Sequence, residues 1–255
     1  MMKKLIMLMS VVVFMAFSGC NETVGPSGPI ESKLLRIDYD NGGTVVSKRF
    51  EYQNDLLVKS EYDGVEVHEF AYVSGVLKTT NLNMPANNIQ TRSEYSLNGD
   101  TLVVHHYSSV NHNLGNFIDT DGLMLQQRNE RYWISATELR EDMYFYEQGN
   151  ATLTQYVIHT SQNGNVIKTR TEHLASGNSQ ESDVVTFFAD AKNPEHFQPF
   201  GQKEFLLTNA NIGKNASTQL TYNLNSNGYP TMVRSEYVNP ATGQTQVDVS
   251  TYFYQ

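Results

Sequence analysis

His105, His106 and His112 fall close together, Asp119-Thr120-Asp121-Gly122 follows, and Cys20 is the only thiol in 255 residues. Imidazoles so clustered suggest ligands for a metal ion. Adjacent residues on a strand point to opposite faces, however, so at most one of His105 and His106 joins a site with His112. No His-Glu-x-x-His element or paired-carboxylate spacing supports such a site, and solvent-facing or sheet-packing histidines account better for them. Asp119 and Asp121 resemble the first carboxylates of a calcium loop. The acid required near position twelve would be Glu130, behind a basic and apolar stretch and with the glycine misplaced, so a turn is the simpler account. Gly-x-Ser-x-Gly, P-loop and dinucleotide fingerprints are absent. Carboxylate pairs for glycoside hydrolysis converge from distant positions and leave no local trace, which keeps a glycoside-type hydrolase open as an alternative. No catalytic residue, metal or cofactor is assigned, and the chain is read as non-enzymatic.

The thiol has a different context. Residues 1–4 are MMKK, residues 5–17 are the nearly unbroken apolar run LIMLMSVVVFMAF, and Ser18, Gly19 and Cys20 follow. A charged start, a short apolar core and small residues make a secretory signal, because a membrane helix needs about 20 apolar residues. One alternative is an ordinary signal peptide in which Cys20 is incidental. Phe17-Ser18-Gly19-Cys20 resembles the lipobox of bacterial lipoproteins, whose cysteine receives a diacylglyceryl group and becomes the new N-terminus. The resemblance implies lipid attachment at Cys20, loss of residues 1–19, and an amino-terminal anchor whose acyl chains, palmitate among them, supply about 0.8 kcal/mol per buried methylene. Asn21 rather than Asp implies, in the enterobacterial sorting scheme, an outer-membrane lipoprotein, and leaves open whether the body faces the periplasm or the cell surface. Residues 20–32 carry Gly25, Pro26, Gly28 and Pro29 without apolar periodicity, as a lipidated flexible tether would.

The charge balance of the body is acidic. The chain carries 18 basic and 27 acidic residues, and loss of Lys3 and Lys4 with the signal leaves 16 against 27, a formal charge of −11. That charge disfavours nucleic acid and anionic lipid as partners. With Cys20 lipidated no disulfide is available, so stability must come from core and sheet. All-β domains often reach the length of residues 33–255 as a single unit.

Tyr39, Tyr52, Tyr62 and Tyr72 close the segments KLLRIDY, TVVSKRFEY, LLVKSEY and VEVHEFAY, separated by DNGG, QND, DG and VSG. Thr44, Val46, Lys48, Phe50 and Tyr52 alternate with Val45, Ser47, Arg49 and Glu51. Period-two patterning between Asn, Asp and Gly turns predicts antiparallel hairpins. TLVVHHY, TLTQYVIH, NVIKTRTEHL, QLTYNL, TMVRSEYV and QTQVDVSTYFY continue the theme. Ser135 to Glu138 could cap a short helix, but Met143-Tyr144-Phe145-Tyr146 favours a strand. Residues 108–122 and 189–216 read as loops, the second with a helical turn near Pro194 to Phe197, and loops of this length are where function concentrates. Tyr132-Trp133, Tyr144 to Tyr146 and the tyrosines at large suit either stacking platforms or plain sheet packing.

FFADAKNPEHF (187–197), Asn209-Ala210-Asn211 and LTYNLNSNGYPTMVRSEY (220–237) resemble a family of exported bacterial lipoproteins of unknown function, common in Bacteroidetes and described as porin-like. The spacing from Tyr222 to Gly228-Tyr229-Pro230 and the pair Asn193-Pro194 carry most of that likeness. Hairpins such as Tyr39-Asp40-Asn41-Gly42-Gly43 are similar to the YD-type repeats of surface proteins. The resemblance implies an all-β, single antiparallel meander sheet, strongly twisted and curled or barrel-like, and no activity. Lys48, Arg49, Glu51, Lys59 and Glu61 put charge on the strands, so the sheet is expected to be water-soluble rather than a membrane channel. The functional expectation is a lipid-anchored envelope protein, a binding or structural module for a glycan, peptide or envelope protein, bound at either long loop or in the mouth of the sheet. An envelope-assembly or lipid-carrier protein with an apolar cavity is the other non-enzymatic alternative.

Overall fold

The computed structural model describes residues 33–110, 116–182, 185–195, 211–214, 218–238 and 242–255. The signal, tether and Cys20 expectations, on residues 1–32, and His112 lie outside the described residues. The four tyrosine-ended segments form β1 (Leu34–Asp40), β2 (Val45–Gln53), β3 (Leu56–Tyr62) and β4 (Glu66–Val73). Their turns use left-handed backbone where Asn, Asp, Ser and Gly tolerate it: Asn54 and Asp55 at φ 49 and 63, Asp63 and Gly64 at 38 and 70, Ser74 and Gly75 at 52 and 78. Next come β5 (Val76–Met84), a 3-10 turn over Pro85–Asn87, β6 (Ile89–Asn98) and β7 (Thr101–Ser108). Strands β8 (Met124–Trp133), β9 (Glu138–Glu147), β10 (Asn150–Gln162), β11 (Asn165–His173) and β12 (Asn178–Glu181) follow. The chain then forms β13 (Thr186–Lys192), β14 (Asn211–Lys214), β15 (Thr218–Leu224), β16 (Pro230–Val238) and β17 (Thr245–Tyr254).

Fifteen strands make one antiparallel sheet, in which β1 to β12 run as a meander and β17, β16 and β15 continue it beyond β1. The fold is therefore all-β, as expected, and the sheet is not closed: β12 and β15 are its ends. The pairing of β1 with β17 joins the two meanders, with Ile37 opposite Tyr252 and Tyr39 opposite Ser250. The segment after Ser135 is strand, not helix. Ser135 Oγ accepts from the N–H groups of Thr137 and Glu138, so capping chemistry turns the chain into β9 instead of opening a helix.

One expectation needs correction. Much of the described part of the 189–216 loop is strand, because β13 and β14 pair as a two-stranded ribbon. This ribbon touches both ends of the sheet. On the β11 side Val185 N–H donates to Ile167 O, and Asn165 and Asn211 exchange hydrogen bonds at 2.9 and 3.1 Å. On the β15 side the Tyr222 hydroxyl donates to Asp190, Phe188 packs edge-on against the Tyr222 ring, and Lys192 N–H donates to Gly228 O. One ribbon that reaches both ends requires the sheet to curl.

The concave face carries two apolar clusters. Leu34, Ile37, Phe50 and Leu57 form the first, flanked by Tyr39, Tyr52, Phe70, Tyr252 and Tyr254. Leu102, Val104, Leu139 and Val166 form the second, beside Tyr95 and Trp133. On the opposite face, seven strands pair a basic residue with an acid two positions on: Arg36–Asp38, Lys59–Glu61, Arg92–Glu94, Arg128–Glu130, Arg140–Asp142, Arg170–Glu172 and Arg234–Glu236. Guanidinium groups also lie over rings there, Arg128 at 4.3 Å from the Tyr144 centroid and Arg140 at 4.0 Å from that of Tyr156. So charged a convex face contrasts with the apolar outer band of a membrane barrel. No helix among the described residues is long and apolar enough to cross a membrane.

Candidate functional site: a tyrosine chamber on the concave face

Strand alternation places Tyr39, Lys48, Tyr62, His68 and Tyr252 on the concave side, because Ile37, Lys48 and Tyr62 are cross-strand neighbours and Ile37 faces Tyr252. Tyr52 continues the same alternation, and a bulge at Val58 turns its partner Leu57 to that side as well. Glu195 enters from just beyond β13, its N–H held by Asn193 Oδ1, and Lys48 Nζ donates to Glu195 Oε1 at 3.4 Å. Lys48 also lies 5.1 Å from the Phe50 ring centroid. Tyr39 and Tyr62 approach to 5.9 Å between centroids at an interplanar angle of 58°.

Burial first, and then the Glu195 carboxylate, push the hydroxyls of Tyr39, Tyr52 and Tyr252 well above the ordinary phenol range. Burial and the neighbouring Lys48 hold His68 below its ordinary value, so the ring is neutral at pH 7. Yet all of these side chains keep partial solvent accessibility. Groups that are deep and still accessible line a chamber. The Tyr254 hydroxyl is spent on Pro230 O and that of Tyr72 on Leu57 O, whereas those of Tyr39, Tyr52 and Tyr62 have no hydrogen-bond partner among the described residues.

Farther round the same face lies a polar network. Glu141, 6 % exposed, accepts from Asn129 Nδ2 at 2.6 Å and Arg131 Nε at 2.8 Å, with His159 Nε2 at 3.5 Å. Burial alone would raise the Glu141 carboxyl, but Arg131 and His159 overcome it and hold the group well below the carboxylate range. His106 shares a 2.8 Å hydrogen bond with Ser93 and is lowered to about 4, by burial and then by Arg131. This arrangement is an ion-paired, hydrogen-bonded layer with its charges already satisfied.

The residues singled out in the sequence fall as follows. His105 and His106 do point to opposite faces, opposite Glu94 and Ser93 respectively. Asp119 and Asp121 form a turn: Asp119 Oδ1 accepts from Asp121 N–H and Leu123 N–H, and the Arg92 guanidinium pairs with both carboxylates. A guanidinium thus sits where a cation would. Tyr132 and Tyr144 lie on the convex face, the Tyr132 hydroxyl pushed up to about 12 by burial and by its bond to Asp142. Sequence reasoning missed Glu195 and Glu141. Both depend on partners distant in the chain, and no local spacing announces them.

No family model matches the chain, and no curated protein sequence matches it. Solved structures do show likeness of form. A protein of unknown function from Bacteroides fragilis NCTC 9343 is 14% identical over 46% of this chain and 88% of its own, with a TM-score of 0.34. A porin-like protein from Bacteroides uniformis ATCC 8492 is 11% identical over 89% of this chain and 98% of its own, and one from Bacteroides vulgatus ATCC 8482 is 10% identical over 88% and 99%; each has a TM-score of 0.37.

Proposed function

We propose that this chain is a lipid-anchored protein of the outer envelope, attached to the membrane through Cys20, and that it acts as a non-enzymatic binding module whose ligand sits on the concave face. The tyrosine chamber carries the binding half of this reading, since deep phenols that remain accessible and unpartnered among the described residues are poised for a ligand. The anchored half rests on the lipobox-like run ending at Cys20. Concave-face carboxylates Glu141 and Glu195 are each ion-paired, which suits structure better than the acid and base of a glycoside hydrolase. Lys48 and Glu195 suit a polar ligand better than an acyl chain.

The test is metabolic palmitate labelling combined with protease shaving of intact cells, comparing wild type with Cys20→Ala. Label on the wild type alone, with the variant lost from the membrane fraction, is the expected result. Equal labelling, or equal membrane retention, removes the anchor. Cleavage from intact cells assigns the body to the surface, and protection until the outer membrane is opened assigns it to the periplasm.

A further inference from the structure

We propose that the chamber takes an oligosaccharide without acidic groups, stacked on the rings of Tyr39, Tyr62 and Tyr252 and hydrogen-bonded to the phenols of Tyr39, Tyr52 and Tyr62. The proposal rests on reading the chain as a binding module and names the ligand class of that same site. The phenols of Tyr39, Tyr52 and Tyr62 have no hydrogen-bond partner among the described residues, yet none is a buried orphan, so solvent reaches them and a ligand's hydroxyl groups can replace it. A ligand that fits must bring hydroxyl groups.

It must also bring no negative charge. Lys48 and Glu195 neutralise each other and His68 is neutral at pH 7, while Glu66, opposite Tyr62 on the same face and 3.6 Å from His68, leaves a carboxylate there. Among the described residues no cation there remains to hold a phosphate or carboxylate. Rings set at 58° to one another offer apolar faces to the C–H side of a pyranose while their hydroxyls reach its rim. An acyl chain would leave the phenols and the ion pair against hydrocarbon. A peptide held as an added strand would need free backbone groups, and those around the chamber are committed to the ladders joining β17, β1, β2, β3 and β4.

Full-length mature lipoprotein in lauryldimethylamine oxide, a detergent without sugar, is examined by saturation-transfer NMR and calorimetry. The probes are maltoheptaose, cellohexaose, laminarihexaose and chitohexaose, with a tryptic casein digest as the peptide probe. At least one oligosaccharide is expected to bind. Its affinity should fall about tenfold or more in Tyr39→Ala/Tyr62→Ala and severalfold in Tyr39→Phe/Tyr62→Phe, which keeps the rings and the packing. Tyr144→Ala, on the convex face, should bind like wild type. If only casein peptides bind, the saccharide is overturned while the binding module stands; if no probe binds, both fall. Oligosaccharide binding that survives both chamber variants overturns the site.

Discussion

Lys48 and Glu195 meet at 3.4 Å although 147 residues separate them in the chain. The contact ties the segment that follows β13, between the two strands of the ribbon, to the second strand of the sheet, and it lies among the tyrosines that define the chamber. Side-chain exposures of 23% and 13% put the pair between a surface bridge and a buried one. Lys48→Met or Glu195→Gln should each cost about 1–2 kcal/mol in urea unfolding, more than an exposed pair and less than a buried one. The double variant should cost less than the sum, and simple additivity would show that the two groups do not interact.

Acid should unfold the protein in two stages. His106 titrates near 4 in the folded state against about 6.5 in an unfolded chain, so its neutral form supports folding above about pH 6.5, and that support is lost as pH falls toward 4. Glu141 is depressed when folded, so its contribution is present above the ordinary carboxylate value and is lost as pH falls below it. His106→Gln should flatten stability against pH between about 4 and 6.5, and Glu141→Gln should flatten the more acidic limb. Urea midpoints measured across pH check both, and a His106→Gln profile parallel to wild type sinks the first.

The two apolar clusters share no member. Leu57→Ala and Leu139→Ala, at side chains 1% and 0% exposed, should each cost about 2–5 kcal/mol. Their effects should add to within about 0.5 kcal/mol, because the sites have no common neighbour. A larger discrepancy would mean that the two halves of the concave face pack on each other.

Asn211 fastens the ribbon by donating its N–H to Asn165 Oδ1 and accepting from Asn165 Nδ2. Asn211→Ala should cost about 1–2 kcal/mol, part of it from leaving Asn165, 5% exposed, without that partner. Hydrogen exchange should quicken in β13 while β6 to β9 keep their protection. Uniform loosening would mean that the ribbon is not an independent clasp.

Much of the sheet was legible because its signals are local. Asn54-Asp55, Asp63-Gly64 and Ser74-Gly75 are turn pairs, and each adopts the left-handed backbone those residues suggest. Strands β5 and β6 escaped notice because Thr79-Thr80-Asn81 and Gln90-Thr91-Arg92-Ser93 present polar residues on both faces and blur the period of two. A repeated signal was there to be used: Lys59-Ser60-Glu61, Arg92-Ser93-Glu94 and Arg234-Ser235-Glu236 each set a small residue on the concave side between an ion pair on the convex one. The chamber was harder to see. Tyr252, Tyr39, Lys48 and Glu195 come together through the β1–β17 pairing and the ribbon, and neither leaves a trace in local spacing.

The partnership of β1 with β17 governs the order of assembly. β17 follows every other strand described, so during synthesis β1 has only β2 beside it, and its other edge waits. A chain interrupted before Thr245 would expose two raw edges in mid-sheet, on β1 and on β16. Such edges pair readily with another chain, so truncated or slowly delivered copies are the natural seed of aggregates. Once β17 seats, Gln255 N–H donates to Lys33 O at 2.9 Å, beside the start of β1. A circular permutant that links Gln255 to Lys33 and opens at the Asn98–Gly99 turn would turn the longest-range strand pairing of the sheet into a hairpin.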